Sequence, residues 1–205
     1  MGSNIKIKHM RKKTELSKIR DLLQKPSFTS KEAVVLGVSA STLSYYAKTG
    51  VIVRLGHGVY SNPNFALETD WQWEDLVQVV SAVPDGVVCL ITALLLWELT
   101  DEHSREFWIA IPHSTKAKKI GPHSHIVRYR NMELGRTTIK IGGVDLPIFD
   151  ETRTVLDAFR ILSIEIAIKA LKRLASQGRL DFRKMADYAK TLRIDITPYI
   201  MTVST

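Results

Sequence analysis

The most constraining feature of the sequence is a pair of short helical segments separated by a tight turn. Thr29 or Ser30 is placed to cap the first segment, which ends at Gly37. Ser39 then caps a second segment, which spans Ala40–Thr49. Two short helices joined by a turn that contains glycine are typical of a helix-turn-helix.

A β-hairpin is predicted immediately after the second helix. Val51–Leu55 and Val59–Ser61 have the composition of strands, and Gly56-His57-Gly58 between them supplies a turn in which positive φ is available. A hairpin at this position is a wing. We therefore predict a winged helix-turn-helix, preceded by an amphipathic helix that starts at Thr14 and ends before Pro26.

Basic residues are concentrated in the same part of the chain. Residues 1–64 contain eleven Lys and Arg against three Asp and Glu, a net charge of +8, whereas residues 65–205 contain 18 of each sign. Such an excess favours a polyanionic partner, nucleic acid above all. Part of it lies in residues 1–13, which show no hydrophobic pattern and are predicted to be a disordered basic leader.

The second short helix has two distinct sides. Leu43, Tyr46 and Ala47 are spaced to face the core. The polar side consists of Ser41, Thr42, Ser44, Tyr45 and Lys48. Short hydroxyls, an aromatic ring and a cation suit a helix that lies in a major groove.

The predicted wing adds two further candidates. Arg54 and His57 flank glycines that permit close approach to a phosphate or to the minor groove. The predicted DNA-binding residues are thus Ser41, Thr42, Ser44, Tyr45, Lys48, Arg54 and His57. The alternative is that these side chains form only the solvated surface of a small helical domain.

Residues 65–205 are predicted to form a second, α/β domain. Strands are expected at Phe107–Ile111, Ile126–Tyr129, Thr137–Ile141 and Val144–Ile148, the last two joined by Gly142-Gly143. Helices are expected from Asp70 to about Val80, from about Thr92 to Leu99, from Asp150 or Thr152 to Ala175, and from Asp181 to Leu192, before an irregular tail around Pro198. The predicted fold class is therefore α+β: residues 14–64 as the winged helix, then a small α/β domain with a short mixed or antiparallel sheet and C-terminal helices.

The second domain shows no pattern typical of an enzyme. It has no P-loop, dinucleotide fingerprint or nucleophile elbow. Asp145 and the pair Asp150-Glu151 lack a matched lysine and carboxylate constellation, so loop acidity and helix capping explain them better than a nuclease site. We predict no enzymatic activity and no cofactor.

Metal binding is not predicted either. His123 and His125 are two apart and would point the same way from a strand, but no third ligand follows at a fixed spacing. His103 near Asp101 and Glu102 is a weaker candidate of the same kind. Cys89, the single cysteine, lies in an apolar run and is expected in the core.

The expected location is the cytoplasm, without a membrane partner. The longest apolar stretch, Val87–Leu99, falls short of the roughly 18 residues that a membrane span needs. The chain starts without the charged-then-apolar pattern of a secretory signal, and one cysteine excludes an internal disulfide framework.

Several motifs of the chain resemble those of the AbiEi-family antitoxins. In the first domain these are Thr29–Ala33, Val38–Leu43, Gly50 and Arg54–Tyr60. In the second they are Thr92–Leu94, Trp108–Pro112, Gly143–Pro147 and Glu151–Asp157. The resemblance extends from Thr14 to about Ala175.

This resemblance implies an antitoxin and transcriptional autorepressor of a bacterial type IV toxin–antitoxin system, which acts in abortive infection. Its winged helix would bind inverted repeats in double-stranded DNA upstream of the operon, and its C-terminal domain would counter a nucleotidyltransferase-like toxin. Two alternatives remain for the second domain: a weak nuclease or other hydrolase, and a sensor of a small ligand. A nucleotidyltransferase encoded downstream would favour the antitoxin.

Overall fold

The computed structural model describes residues 15–67, 71–115 and 123–200. The described residues divide into two compact units. The first takes everything up to Pro84 together with Ile141–Val144, and the second takes the remainder. The domain boundary after residue 64 and the disordered leader at residues 1–13 stay predictions.

The first unit contains a winged helix-turn-helix. Residues 15–18 are helical, and a 3-10 turn follows at Leu22–Gln24. The further helices of the first unit are α1 (Ser30–Val35) and α2 (Ala40–Lys48) in the helix-turn-helix, and α3 (Trp71–Ser81) after the wing. Its strands are β1 (Phe28–Thr29), β2 (Val53–Gly56) and β3 (Val59–Ser61), which form an antiparallel sheet in the order β1-β3-β2.

Helix caps set the two central helices where the sequence predicts them. The Thr29 side chain accepts from the Glu32 N–H and Glu32 accepts from the Thr29 N–H, which makes a capping box. Ser39 caps α2 by accepting from the Thr42 N–H. Gly37, with φ of +80°, turns the chain between the helices. The core between helices and sheet consists of Ile19, Leu22, Phe28, Ala33, Val38, Leu43, Tyr46, Ile52 and Tyr60.

Two local predictions for this unit differ from the structure, and one strand is not predicted. Among the described residues, the first helix ends after residue 18 and gives way to turns well before Pro26. Strand β2 starts at Val53 and not at Val51, because the N–H groups of Val51 and Ile52 both donate to the Tyr46 carbonyl at the end of α2. Strand β1 is too short for the sequence to reveal it.

The second unit is built on a mixed five-stranded sheet. The strands are β4 (Val87–Val88), β5 (Phe107–Pro112), β6 (Ser124–Tyr129), β7 (Arg136–Ile141) and β8 (Val144–Phe149). Their order is β6-β5-β4-β8-β7, in which β5 and β6 are parallel, β4 and β8 are parallel, and β4 and β5 are antiparallel. The fold class is α+β, as predicted.

The helices of the second unit share an apolar core. They are α4 (Leu90–Leu96), α5 (Glu151–Ile161), α6 (Ile164–Ser176), α7 (Phe182–Leu192) and α8 (Thr197–Ile200). The core is formed by Leu94, Leu99, Val155, Leu156, Leu171, Leu174, Met185 and their neighbours. Within the described residues, none of the helices combines the length and the apolar character needed to cross a membrane.

The predicted long helix from Asp150 to Ala175 is wrong in one respect. The backbone of Leu162 is extended, with ψ of −178°, and Ser163 starts a new helix by capping α6. The apolar stripe continues through this break, so spacing alone does not reveal it. Pro198, expected in an irregular tail, lies in the short helix α8.

A buried ion pair lies within α5, and its arginine also joins this helix to the chain between β6 and β7. The Arg153 Nε donates to Asp157 Oδ2 at 2.7 Å, and both side chains are 1% exposed. The Nη1 and Nη2 of Arg153 donate to the carbonyls of Leu134 and Asn131 at 2.9 and 3.1 Å. A buried charge is unfavourable without a partner, so these contacts explain how two charged side chains can be buried in the core.

Candidate nucleic-acid interface

Four of the predicted DNA-binding residues form one outward side of α2. Ser41, Ser44, Tyr45 and Lys48 fall within an arc of roughly 100° around the helix axis. The opposite side carries Leu43 and Tyr46, which are buried in the core of the first unit. The helix therefore presents polar groups to solvent while its apolar residues hold it in place.

Thr42 lies beside this surface, in a cluster of hydroxyls at the start of α2. Ser39 Oγ lies 2.8 Å from Ser41 Oγ and 2.9 Å from Thr42 Oγ1, and it accepts from the Thr42 N–H at 3.2 Å. These hydroxyls are already oriented by one another before any ligand arrives. Each keeps further hydrogen-bonding capacity, since a hydroxyl offers one donor and two acceptor sites.

Tyr45 and Lys48 differ in how freely they are presented. Tyr45 is half-buried, packs against the core, and has its ring centroid 6.1 Å from that of Tyr46. Its exposure is therefore smaller than the sequence predicts. Lys48 is exposed in the last turn of α2 and has no carboxylate partner among the described residues.

The wing carries the other two predicted residues. Arg54 and His57 are both exposed. The Arg54 Nε donates to the Gly56 carbonyl at 3.2 Å, and the register of β2 against β3 shifts between Arg54 and Gly56. In the turn Gly56–Gly58, His57 lies between two glycines and carries the side chain. The predicted residues thus fall into two groups, one on α2 and one on the wing.

Most of the described cations of this unit have no carboxylate partner. Lys18, Arg20, Lys31 and Lys48 are exposed and pair with no carboxylate among the described residues. Lys25 is the exception, since its Nζ lies 3.1 Å from Glu32. Unpaired surface cations leave the positive charge of this unit available to phosphates.

The pKa of Glu32 is lowered in spite of partial burial. Burial raises this pKa, but hydrogen bonds from the Thr29 N–H and hydroxyl, together with Lys25, lower it by more than burial raises it. The carboxylate thereby stays ionised as part of the capping box. Glu32, one of the three acidic residues among residues 1–64, therefore stabilises the start of α1.

Two residues of the candidate interface have roles beyond those that the sequence predicts. The sequence predicts Ser39 as a cap, and its hydroxyl also orients Ser41 and Thr42. The sequence predicts Ser30 as a possible cap, and its N–H donates to the Gly58 carbonyl of the wing at 2.8 Å. Neither relation is visible in spacing, because both depend on how the turn and helix meet in three dimensions.

The acidic residues weighed as nuclease candidates all have structural partners. Asp150 caps α5 by accepting from the Arg153 N–H, and it also accepts from the Tyr188 hydroxyl and from Lys184. The other two, Glu151 and Asp145, pair with Arg179 and Lys140, respectively. Helix capping and surface ion pairing account for their positions.

The histidines considered as metal ligands lie in different surroundings. His123 Nδ1 lies 3.3 Å from the Arg105 carbonyl oxygen. His125 stacks on Trp108 at 3.8 Å between ring centroids, with Nδ1 3.2 Å from Glu106. In the ranges that the structure describes, no three His, Cys, Asp or Glu side chains gather as a metal site would require.

Other candidates of the second unit are accounted for in part. Cys89 is buried, and burial raises the pKa of its thiol. Two basic residues on the helices, Arg160 and Arg173, pair with Asp157 and Asp101. The three lysines within residues 116–119 fall outside the described residues.

Comparison with known proteins supports the resemblance for the first unit. Residues 17–63 match the family of transcriptional regulators described as AbiEi antitoxin. No curated protein sequence matches the chain. The match spans the turns before α1, both helices of the helix-turn-helix and the whole wing, and its description is of a regulator and not of an enzyme. The winged helix-turn-helix at residues 17–63 is therefore similar to the AbiEi antitoxin family of transcriptional regulators.

Proposed function

We propose that this protein is a cytoplasmic DNA-binding autorepressor and antitoxin, whose winged helix binds inverted repeats in the promoter of its own operon. In this proposal α2 enters the major groove and the wing contacts the adjoining backbone or minor groove. The residues that bind DNA are Ser41, Thr42, Ser44, Tyr45, Lys48, Arg54 and His57.

One observation supports the proposal above the others. The exposed side of α2 carries hydroxyls and Lys48 without any acidic residue, and Lys18, Arg20 and Lys31 of the same unit pair with no carboxylate among the described residues. A duplex presents phosphates on both sides of the major groove, so a polar helix on a unit with unpaired cations matches it in charge.

A salt titration tests the electrostatic part of this function. If about five phosphates are neutralised, the logarithm of the binding constant should fall with the logarithm of salt concentration at a slope near −4 to −5. Fluorescence anisotropy with a labelled duplex from upstream of the operon measures this slope, and a random duplex of equal length is the reference. A slope near zero would contradict DNA binding by this surface.

We propose that the second domain, residues 65–205, counters a co-encoded nucleotidyltransferase-like toxin by a route separate from repression. Its charge balance of 18 against 18 and its own apolar core support a separate role, since a winged helix needs no such support to fold.

Growth rescue separates the two activities. The full chain with Lys48→Gln and Arg54→Gln, expressed from an unrelated promoter, should lose promoter binding and still restore growth when the toxin is induced from a second unrelated promoter. Loss of rescue with a protein that stays folded would mean that the winged helix takes part in neutralisation. Rescue that occurs only when the toxin's own promoter is present would mean that repression is the whole mechanism.

A further inference from the structure

The wing turn is held at two of its backbone carbonyls. The Ser30 N–H donates to the Gly58 carbonyl at 2.8 Å, and the Arg54 Nε donates to the Gly56 carbonyl at 3.2 Å. Ser30 is the first residue of α1, and Thr29 before it pairs with β3. The turn is therefore joined to a helix as well as to its own strands.

Gly58 permits this junction for two physical reasons. Its φ is +72°, a conformation that residues with a Cβ adopt only at a cost. A Cβ at this position would lie 2.9 Å from Ser30 Oγ, which is closer than packed atoms tolerate. A side chain at residue 58 would therefore strain the turn, mainly through the positive φ, because the Ser30 hydroxyl can rotate away from a new Cβ.

The hydrogen bond to Gly56 orients the guanidinium of Arg54. The group is planar, so an Nε that donates to a carbonyl sets the plane in which both Nη atoms lie. Arg54 is exposed, and the register shift beside it leaves Leu55 without a paired residue in β3. Such a bulge increases the local twist and redirects the neighbouring side chains.

We propose that Arg54 is the phosphate-binding residue of the wing, oriented by the Gly56 carbonyl, and that Ser30 and Gly58 are positioning residues that hold the turn. The proposal rests on the proposed DNA binding and adds how the wing achieves it. A guanidinium that is already oriented loses less conformational entropy when it binds a phosphodiester, and it donates two hydrogen bonds where an ammonium acts as a point charge.

Charge-preserving substitutions test the orientation of Arg54. With a random-sequence duplex as probe, Arg54→Lys in the full chain should lower the affinity about tenfold, because the ordered fork is lost while the charge is kept. The salt slope should stay unchanged, since the number of cations is the same. The matched control is Arg20→Lys, another exposed arginine of the unit, which should stay within about twofold of the unsubstituted protein.

Substitutions at the junction test the positioning residues. Gly58→Ala should lower the affinity by a similar factor, and Ser30→Ala alone should retain it, because the backbone N–H remains. The pair Ser30→Ala with Gly58→Ala should recover part of the loss, since it removes the oxygen that the new Cβ would meet. Circular dichroism and thermal unfolding verify that each variant is folded.

The outcomes separate this inference from the proposed function. An unsubstituted protein that binds no duplex even at low salt refutes DNA binding itself. A protein that binds, but in which Arg54→Lys stays within about twofold, overturns the oriented phosphate contact. Should the double variant bind no better than Gly58→Ala, the close approach of residue 58 to the Ser30 side chain does not place the turn, and that part of the inference is overturned. If Gly58→Ala fails to fold, the comparison of Arg54→Lys with Arg20→Lys still decides the role of Arg54.

Discussion

The two units differ in how many of their described cations are paired with carboxylates. In the first unit, Lys18, Arg20, Lys31 and Lys48 have no carboxylate partner among the described residues. The second unit pairs many of its cations with carboxylates: Arg136 with Glu133, Lys140 with Asp145, Arg153 and Arg160 with Asp157, Arg173 with Asp101, Arg179 with Glu151, and Lys184 with Asp150. Among the described residues, seven cations of the second unit have carboxylate partners, whereas Lys25 is the one cation of the first unit that does.

This difference also separates where substitutions should act. Removal of a paired charge in the second unit leaves its partner without compensation and should lower stability, most of all where both groups are buried. Removal of an unpaired cation in the first unit leaves no carboxylate without a counter-charge and should lower only the affinity for DNA. Four predictions test this contrast, from the largest expected effect to the smallest.

The largest effect is expected at the buried ion pair. Asp157→Asn should lower the free energy of unfolding by about 3–5 kcal/mol, because Arg153 would remain buried without a counter-charge. Urea denaturation followed by circular dichroism measures the change. The control is Asp145→Asn, whose pair with Lys140 spans 3.6 Å between largely exposed side chains, and it should cost less than about 0.5 kcal/mol. A loss below about 1 kcal/mol at Asp157 would mean that the core does not depend on the pair.

The second effect concerns sequence discrimination by α2. Thr42→Val and Tyr45→Phe each remove one hydroxyl with little change in shape, and a lost base contact should lower the preference for promoter over random DNA by roughly 1–3 kcal/mol. Competition binding with both duplexes gives the ratio. Thr191→Val serves as the control, because that hydroxyl donates to the Asp187 carbonyl within α7. If both variants keep the full preference, α2 does not read the bases through these groups.

The third effect compares one exposed lysine from each unit. Lys48→Gln should weaken binding to all duplexes evenly and flatten the salt slope by about one, because one phosphate contact is lost. Lys172→Gln, on the exposed side of α6, should leave the slope as it is. Anisotropy titrations at several salt concentrations give both slopes. Equal changes in the two variants would show that binding follows the net charge of the chain and not a local surface.

The smallest effect is a pH dependence from the capping box. The pKa of Glu32 is lowered in the folded protein, so its contribution to stability is present above the ordinary glutamate pKa and is lost as the pH falls through the folded value. Glu32 is partly exposed, which limits this contribution to less than about 1 kcal/mol. Glu32→Gln should therefore be slightly less stable than the unsubstituted chain near neutral pH and equal to it in acid. Thermal unfolding at both pH values measures the difference, and a constant gap would assign it to shape instead of charge.

The winged helix could be predicted in detail because its signals are local. Caps such as Thr29 and Ser39, and glycines that adopt positive φ such as Gly37, act within a few residues of themselves. The outward side of α2 follows from helical periodicity alone. Periodicity did not reveal that Tyr45 packs against the core, since its burial depends on neighbours outside the helix.

The second unit was predicted less accurately because its decisive contacts are distant in sequence. Nothing near Leu162 interrupts the apolar stripe, yet the chain breaks there and α6 starts anew. The role of Arg153 was equally hidden, because its partners include carbonyls about twenty residues earlier in the chain. The five-stranded order could not be inferred, since short strands such as β4 carry no register of their own.

The sequence by itself determined the two-part character of the chain, the helix-turn-helix with its wing, and the concentration of positive charge in that part. Composition is fixed in any conformation of the chain, and the caps, turns and helical faces depend on interactions between residues that are close along it. Tertiary structure decided which charges stay free and which are paired, that Arg153 and Asp157 are buried together, and that Ser30 holds the wing at Gly58. Those outcomes require distant segments to meet, and the free energy that brings them together comes from burial of the whole core.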